Sequence, residues 1–261
     1  MTDSINRFSN RVEDYVKYRP GYPRQVITLL TRECGLLPGS VIADVGSGTG
    51  IFSELFLRHG NTVYGIEPND GMRVAAERLL KEYQTFRSIA GQAEATTIAA
   101  EGVDFVTAGQ AFHWFDQQHA RVEFVRILKS EGWAVLVWNE RRLNSTAFLR
   151  AYEDLLLEFG TDYEQVRHEN VEQDIAAFFA PDECKLAAFE NPQQLDFAGL
   201  RGRLLSSSYV PCLRDQNYQP MIERLSEIFL AHQQDGKVIV EYDTKIYYGH
   251  LRPTEIGSFP G

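Results

Sequence analysis

The stretch Val41-Ile-Ala-Asp44-Val-Gly46-Ser47-Gly48-Thr49-Gly50 decides the fold of this chain. It begins as a short apolar run, which predicts a buried strand, and continues through an acid into three glycines at alternate positions. A second apolar run ends at Glu67, 21 positions after Gly46. Glycines at a strand-to-helix turn let a ligand approach the backbone, and a carboxylate at the next strand end can bind both hydroxyls of a ribose. The two motifs therefore predict a site for a cofactor that contains adenosine.

Strand and helix patterns alternate on both sides of this turn. Several of the strand patterns are apolar on both faces, which is typical of central strands in a parallel sheet. The predicted strands lie near 40–45, 62–67, 85–90, 103–108 and 133–138, and the predicted helices near 25–34, 50–59, 70–82 and 116–129. This alternation predicts a doubly wound α/β sheet.

The alternation stops after Asn139. Two helices are predicted at 145–160 and 171–180, then a strand near 185–190, helices near 197–207 and 218–234, and a last strand at 237–251. We expect the helices at 145–180 to cover the carboxyl edge of the sheet, where open α/β folds bind ligands. The prediction is one domain over 1–261, made of an N-terminal cap (1–23), a cofactor-binding core (24–142), a helical insertion (143–183) and C-terminal strands and helices (184–261).

Composition limits the classes of partner. The 261 residues carry a net charge of −10, and the longest basic run is the pair Arg141-Arg142. Because binding to a polyanion requires a basic face, we expect neither nucleic acid nor a membrane as a partner. Cys34, Cys184 and Cys212 have neither CxxC nor metal-ligand spacing, which predicts reduced thiols, no metal site and a cytoplasmic protein. The N-terminal residues show no apolar targeting segment.

Two classes of adenosine cofactor compete for the glycine-rich turn. Nicotinamide-dependent dehydrogenases use GxGxxG, whose third glycine allows close packing of helix on strand. Here Ile51 stands at that position, and the third glycine comes one residue earlier, at Gly50. The dehydrogenase pattern also has no place for Asp44. An acid inside an apolar strand must be paired, and Asp44 can order the loop by accepting its backbone N–H groups.

The motifs resemble those of class I S-adenosylmethionine-dependent methyltransferases. Asp44-Val-Gly46-Ser47-Gly48-Thr-Gly50 is similar to the first motif of that family, and Glu67-Pro68 to its ribose-binding acid. Gly91-Gln92-Ala93-Glu94 corresponds to the segment that holds the adenine ring, and Val103–Ala108 to the fourth strand. Leu128-Lys129-Ser-Glu-Gly132 resembles the L-K-P-G-G turn, with Ser130-Glu131 in place of Pro-Gly.

This resemblance implies a fold, a cofactor and a set of binding residues. The fold is a Rossmann-like doubly wound sheet of seven strands, in the order 3-2-1-4-5-7-6 with the last strand antiparallel, plus helical cap insertions. The cofactor is S-adenosyl-L-methionine, and the product is S-adenosyl-L-homocysteine. The cofactor-binding residues are Arg19, Asp44, Gly46, Ser47, Gly48, Glu67, Pro68, Met72, Gln92, Ala93, Glu94 and Gln110. Met72 can equally well be an ordinary core residue. Arg19 can equally well be a solvated charge beside a turn.

Two further motifs indicate a branch of the family. Tyr18-Arg19-Pro-Gly-Tyr-Pro23 and Gln110-Ala-Phe-His113-Trp114-Phe-Asp116 resemble the small-molecule branch that includes trans-aconitate methyltransferases. His113 follows the fourth strand, where it is a candidate general base, and His113 and Trp114 are candidates for lining the acceptor pocket. The alternative is a buried helix start with His113 bonded to the backbone. Arg141 can bind an acceptor carboxylate or form a surface salt bridge.

The sequence thus predicts a methyltransferase that transfers a methyl group from S-adenosylmethionine to a small-molecule acceptor, with a carboxylate among the open choices. Two other hypotheses remain, namely an NAD-dependent oxidoreductase and a non-catalytic protein that binds S-adenosylmethionine.

Overall fold

The computed structural model describes residues 17–161, 163, 171–207 and 209–253. The amphipathic N-terminal pattern around Phe8 and Val12 therefore lies outside the described residues. The chain divides into two compact units, each built from segments that are separate in the sequence. We call the described residues within 24–138, 170–187 and 246–261 the sheet unit, and the described residues within 1–23, 139–169 and 188–245 the helical unit. The prediction of a single domain with a cap over 1–23 and an insertion over 143–183 stays a prediction.

Nine strands form two sheets within the described residues. They are β1 (Val41–Val45), β2 (Thr62–Ile66), β3 (Phe86–Ile89), β4 (Val103–Gly109), β5 (Leu128–Arg141), β6 (Lys185–Glu190), β7 (Gln193–Leu195), β8 (Val238–Val240) and β9 (Tyr242–Gly249). The main sheet has the order β3-β2-β1-β4-β5-β9-β6, with parallel pairing from β3 to β5 and an antiparallel last strand. Because β9 is the seventh strand of this sheet along the chain, the predicted order 3-2-1-4-5-7-6 is confirmed.

Eight α-helices connect the strands in the described part of the chain. They are α1 (Gln25–Cys34), α2 (Ile51–His59), α3 (Asp70–Leu79), α4 (Gln117–Ile127), α5 (Ala147–Phe159), α6 (Val171–Phe179), α7 (Phe197–Leu205) and α8 (Tyr218–His232). Side-chain caps fix several starts; Asn69, for example, accepts the Met72 N–H at the start of α3. The predicted helices at these places are confirmed, with ends that differ by at most three residues.

One strand prediction is wrong. The pattern at 237–251 predicts a single last strand, but β8 pairs antiparallel with β7 in a separate sheet, and only β9 joins the main sheet. Burial continues to alternate through the junction at Glu241, so the sequence pattern shows no break there. The pairing partner changes instead, and the Glu241 carbonyl oxygen accepts the Arg142 N–H at 2.9 Å.

The three cysteines are free thiols. Cys34 is buried at the end of α1, and this burial raises its pKa to about 12, so the thiol stays protonated and unreactive near neutral pH. Within the described part of the chain, no helix combines the length and the apolar character that crossing a membrane requires.

Candidate functional site

The glycine loop after β1 has a closed side and an open side. Gly46 and Gly48 both have left-handed backbone angles, with φ of +67° and +56°. A Cβ atom at Gly46 would lie 2.6 Å from the Cβ atom of Ala111, so no larger residue fits there. At Gly48, by contrast, no heavy atom of the described residues lies within 4 Å of that position, apart from the glycine itself and its two chain neighbours. The loop therefore offers an open backbone surface at Gly48, where a ligand can approach.

Glu67 is the carboxylate that holds this loop. Its Oε2 accepts the Gly48 N–H at 2.9 Å, and its Oε1 accepts the Asn69 N–H at 2.9 Å. Burial raises the pKa of Glu67, while the two backbone N–H bonds and the Arg73 charge act in the opposite direction. A carboxylate has about four lone-pair positions, so two remain for hydroxyl donors.

Asp44 is fully buried in β1 and binds two hydroxyl groups. Its Oδ2 accepts the Ser53 hydroxyl at 2.6 Å, and its Oδ1 accepts the Thr107 hydroxyl at 3.2 Å. Burial raises the pKa of Asp44 to about 7, the Ser53 and Thr107 bonds lower it, and the nearby charge of Glu67 raises it. Asp44 thus ties β1 to helix α2 and to β4.

This arrangement corrects the role that we expected for Asp44. The sequence predicts a direct bond from its carboxylate to a loop N–H group, but the structure gives the loop bond to Glu67. The reason is geometric: Asp44 lies within β1 and faces α2 and β4, whereas Glu67 ends the neighbouring strand β2 beside the loop. Gly46 and Ser47 instead donate their N–H groups to the Ile66 carbonyl, at 2.8 Å and 3.1 Å.

The segment predicted to hold adenine forms a tight turn after β3. Gln92 and Ala95 exchange backbone hydrogen bonds of 3.3 Å and 3.1 Å, which leaves Ala93 and Glu94 at the tip. Ala93 is buried, and among the described residues its N–H group makes no hydrogen bond. Glu94 Oε1 accepts the Asp116 N–H at 2.7 Å. Because Asp116 follows β4, this bond ties the turn to the segment around His113.

The segment 110–116 packs against the glycine loop. Ala111 and Phe115 are the side chains that a Cβ at Gly46 would meet, and they flank His113. Gln110 has a left-handed φ of +56°, a strain of about 1–2 kcal/mol for a residue with a side chain. His113 is half-buried in a 3₁₀ turn with its ring 4.7 Å from that of Trp114, which is 40% exposed.

The remaining cofactor candidates lie at the end of β2. Pro68 follows Glu67, and its carbonyl accepts a bond of 3.1 Å from the Arg73 guanidinium. Met72 is buried in the first turn of α3. The sheet unit therefore contains every predicted cofactor residue except Arg19. It also contains His113 and Trp114.

Arg19 and Arg141 belong to the helical unit. Arg19 donates to the Ser206 carbonyl at 2.8 Å, and Ser206 is the C-cap of α7. Arg141 is an ion-pair partner of Glu153 and also donates to the Tyr163 hydroxyl at 2.9 Å. The predicted roles of Arg19 at the donor and of Arg141 at an acceptor stay predictions. The run Ser206-Ser207-Ser208-Tyr209 is a further sequence candidate for a pocket wall, with the C-cap region of a helix as the alternative, and Ser208 lies outside the described residues.

Sequence reasoning missed Ser53 and Thr107. Both bind Asp44, but Thr107 is 63 residues away from it, and only the pairing of β1 with β4 brings the two together. For Ser53, a hydroxyl in the first turns of the helix after the loop was an available signal, since such positions face the preceding strand.

Thr49 offers a test of the loop packing. Its hydroxyl is buried and has no hydrogen-bond partner among the described residues. We expect Thr49→Val to raise the free energy of unfolding by about 1 kcal/mol, because it removes an unsatisfied polar group and keeps the shape. Urea unfolding measures the change. Thr107→Val is the matched control, since it removes a hydroxyl that binds Asp44, and it should destabilise. If Thr49→Val and Thr107→Val destabilised the protein equally, the Thr49 hydroxyl could not be an unsatisfied polar group.

The fold and the site match those of one class of protein. A main sheet in this order, with an antiparallel last strand and an acid at the end of β2 bound to a glycine loop, is a Rossmann-like methyltransferase fold. Residues 43–136 match the family model described as a methyltransferase domain. Over residues 43–136 the chain therefore matches a methyltransferase domain, which supports the resemblance to class I S-adenosylmethionine-dependent methyltransferases. The narrower trans-aconitate-like branch stays a prediction.

Curated relatives carry methyltransferase names, and a solved structure shares the fold. The chain is 33% identical to an uncharacterized methyltransferase-like protein of Schizosaccharomyces pombe, over 52% of this chain and 53% of that one. It is 32% identical to an uncharacterized methyltransferase of Mycobacterium bovis, over 51% and 52% of the two chains. The matched region thus spans about half the length of these relatives. A candidate type II methyltransferase from Anaeromyxobacter dehalogenans shares the fold, with a TM-score of 0.71, 19% identity, and coverage of 91% of this chain and 100% of that one.

Proposed function

We propose that the chain is an S-adenosylmethionine-dependent methyltransferase that acts on a small-molecule acceptor. The single observation that carries this proposal is the Glu67 carboxylate, bound to the Gly48 N–H beside an open backbone surface at the end of the sheet. The family match over residues 43–136 supports the choice of S-adenosylmethionine over a nicotinamide cofactor.

The residues of the sheet unit fit this cofactor. The two lone-pair positions that Glu67 retains suit the two hydroxyls of a ribose. The Ala93 N–H, at the tip of the turn after β3, is available to a ring nitrogen of adenine. Ser47 and Gly48 present the backbone of the loop, and Met72 adds an apolar side chain after β2.

The chemistry then places modest demands on the side chains. S-adenosylmethionine supplies a methyl group that its sulfonium already activates. The protein aligns the acceptor with that methyl group and excludes water, which is the main source of rate in such a transfer. His113, beside the glycine loop, is the candidate base that takes a proton from a hydroxyl or amine acceptor. An acceptor carboxylate is already ionised at neutral pH and needs no base.

The proposal also includes the class of the methyl acceptor. A net charge of −10 favours a small molecule over nucleic acid or an anionic membrane surface. Trp114, partly exposed next to His113, is the side chain that we assign to the acceptor pocket. The cytoplasmic location and the trans-aconitate-like branch belong to the same proposal. The spacing of the three cysteines supports the location, and the two sequence motifs support the branch.

Calorimetric titration tests the cofactor first. We expect S-adenosylhomocysteine to bind to the full chain and NADH not to bind. A methyl-transfer assay with a panel of carboxylate, hydroxyl and amine acceptors then tests turnover. Binding of NADH in preference to S-adenosylhomocysteine would support the oxidoreductase alternative. Binding of S-adenosylhomocysteine without transfer to any acceptor class would support a non-catalytic binding protein.

A further inference from the structure

The helical unit contains a buried group of charged and aromatic side chains, which we call the arginine cluster. Its members come from the end of β5, from α5 and α7, from the residues after α5 and from the start of β9. They are Arg141, Tyr152, Glu153, Tyr163, Arg203 and Tyr242.

Among the described residues, Arg141 has one acidic partner and one unused donor. Its Nη2 group donates to Glu153 and, at 2.9 Å, to the Tyr163 hydroxyl. Its guanidinium carbon lies 5.1 Å from the centre of the Tyr152 ring. The side chain is only 10% exposed, and its buried Nη1 atom has no hydrogen-bond partner among the described residues. A buried donor without a partner indicates that an acceptor is missing from this position.

Arg203 is a buried cation with neutral partners. Its Nε donates to the Tyr242 hydroxyl at 2.8 Å, and its Nη1 donates to the Ser207 hydroxyl at 3.2 Å. Within the described ranges, no carboxylate forms an ion pair with it, although the residue is only 9% exposed. An arginine stays charged in a protein, and a charge that is removed from water without a counter-charge is strongly unfavourable.

The charges of the cluster do not balance. Two arginines face one acid, Glu153, so the described side chains leave an excess of one positive charge. Tyr152 lies close enough to both guanidinium groups for their charges to act on its hydroxyl. Burial nevertheless raises the pKa of Tyr152 above its usual range, so this phenol stays neutral and does not supply the missing negative charge.

The geometry points to a binding site in the helical unit for a small organic acid, whose carboxylate is held by Arg141 and Arg203. A carboxylate carries the one negative charge that the cluster lacks, and its two oxygens match the planar fork of a guanidinium. A phosphate ester has about 1.5 to 2 negative charges at neutral pH, which is more than the one excess positive charge of the cluster. The tyrosine rings offer contact area for the apolar part of the acid. This site rests on residues of the helical unit alone and does not require the proposed methyl transfer.

Binding of benzoate to the full-length protein tests this site. We expect benzoate to bind in calorimetry and to raise the melting temperature, whereas the uncharged analogue benzamide and inorganic phosphate do not. Arg203→Met should weaken benzoate binding by at least about tenfold, because it removes the excess charge. The variant should still fold, since replacement of a buried charge by an apolar residue of similar volume is often neutral or stabilising. Arg203→Lys keeps the charge but loses the fork and should also weaken binding.

Arg201→Met is the matched control. Arg201 is an exposed arginine on the same helix, two residues away, and lines an open pocket with Arg214 and Tyr218. We expect the Arg201→Met variant to bind benzoate as tightly as the wild type does. Loss of binding in Arg201→Met would assign the ligand to that pocket and overturn the proposal. Three other results would also overturn it: no benzoate binding at about 10 mM, unchanged binding in Arg203→Met and Arg203→Lys, or equal binding of phosphate. Titration of S-adenosylhomocysteine in the same samples reports separately on the cofactor site.

Discussion

The free energy of unfolding of the wild-type protein will fall by about 3 kcal/mol between about pH 5 and pH 8 because of one group, Asp44, and Asp44→Asn will remove that fall. The carboxyl group is fully buried, and burial raises its pKa from 3.8 to about 7. The side chains that bind it are neutral, since they are the hydroxyls of Ser53 and Thr107.

The sign follows from the proton counts of the two states. Below pH 3.8 the group is protonated in both the folded and the unfolded protein, so its full contribution to stability is present. As pH rises, the unfolded chain loses its proton first, while the folded protein keeps it until about pH 7. Each pH unit in this window lowers stability by about 1.4 kcal/mol, and above pH 7 the loss is complete at about 4 kcal/mol.

Urea unfolding at a series of pH values measures the effect. Other groups titrate in the same range, so the informative quantity is the difference between Asp44→Asn and the wild type. This difference should shift in favour of the variant by about 3 kcal/mol from pH 5 to pH 8, because Asn cannot ionise. Parallel pH profiles for the two proteins would show that Asp44 has an ordinary pKa, and the assignment would then be wrong.

The sequence predicted the parts of the site that depend on spacing along the chain. The glycines after β1 and the acid after β2 lie where their motifs place them, because short loops fix the distance between a strand end and the next helix. It did not predict which acid binds the loop. Asp44 is nearer to the glycines in sequence, but Glu67 is nearer to Gly48 in space, and this depends on the parallel pairing of β1 with β2.

Two other features were outside the reach of the sequence pattern. The division of 237–251 into β8 and β9 leaves the alternation of buried and exposed residues intact, so only the pairing partners distinguish the two strands. The helix at 197–207 was predicted, but not the burial of Arg203 within it, since a charged residue on a helix is normally placed on the solvated face. Burial of such a charge depends on contacts with β9, which lies 39 residues away.

Glu67→Gln will weaken the binding of S-adenosylhomocysteine by at least about tenfold and by up to about 100-fold. A hydrogen bond to a charged group is worth about 1.5–3 kcal/mol, and tenfold in affinity is about 1.4 kcal/mol. The change also affects the free protein. Glutamine has one oxygen, so its amide can accept from Gly48 or from Asn69 but turns an N–H group toward the other.

A ligand that lacks one hydroxyl separates these two effects. An analogue of S-adenosylhomocysteine without the 2′-hydroxyl should bind the wild type more weakly than the parent compound does, because Glu67 then lacks a donor. In Glu67→Gln the two ligands should bind alike, whereas a variant that only loosened the loop would still prefer the parent. Glu54→Gln is the matched control, since Glu54 pairs with Arg58 on the surface of α2 and should keep the wild-type affinity. If Glu67→Gln preferred S-adenosylhomocysteine over the analogue as strongly as the wild type does, the 2′-hydroxyl would have its partner elsewhere. That result would exclude a contact between the Glu67 carboxylate and the ribose.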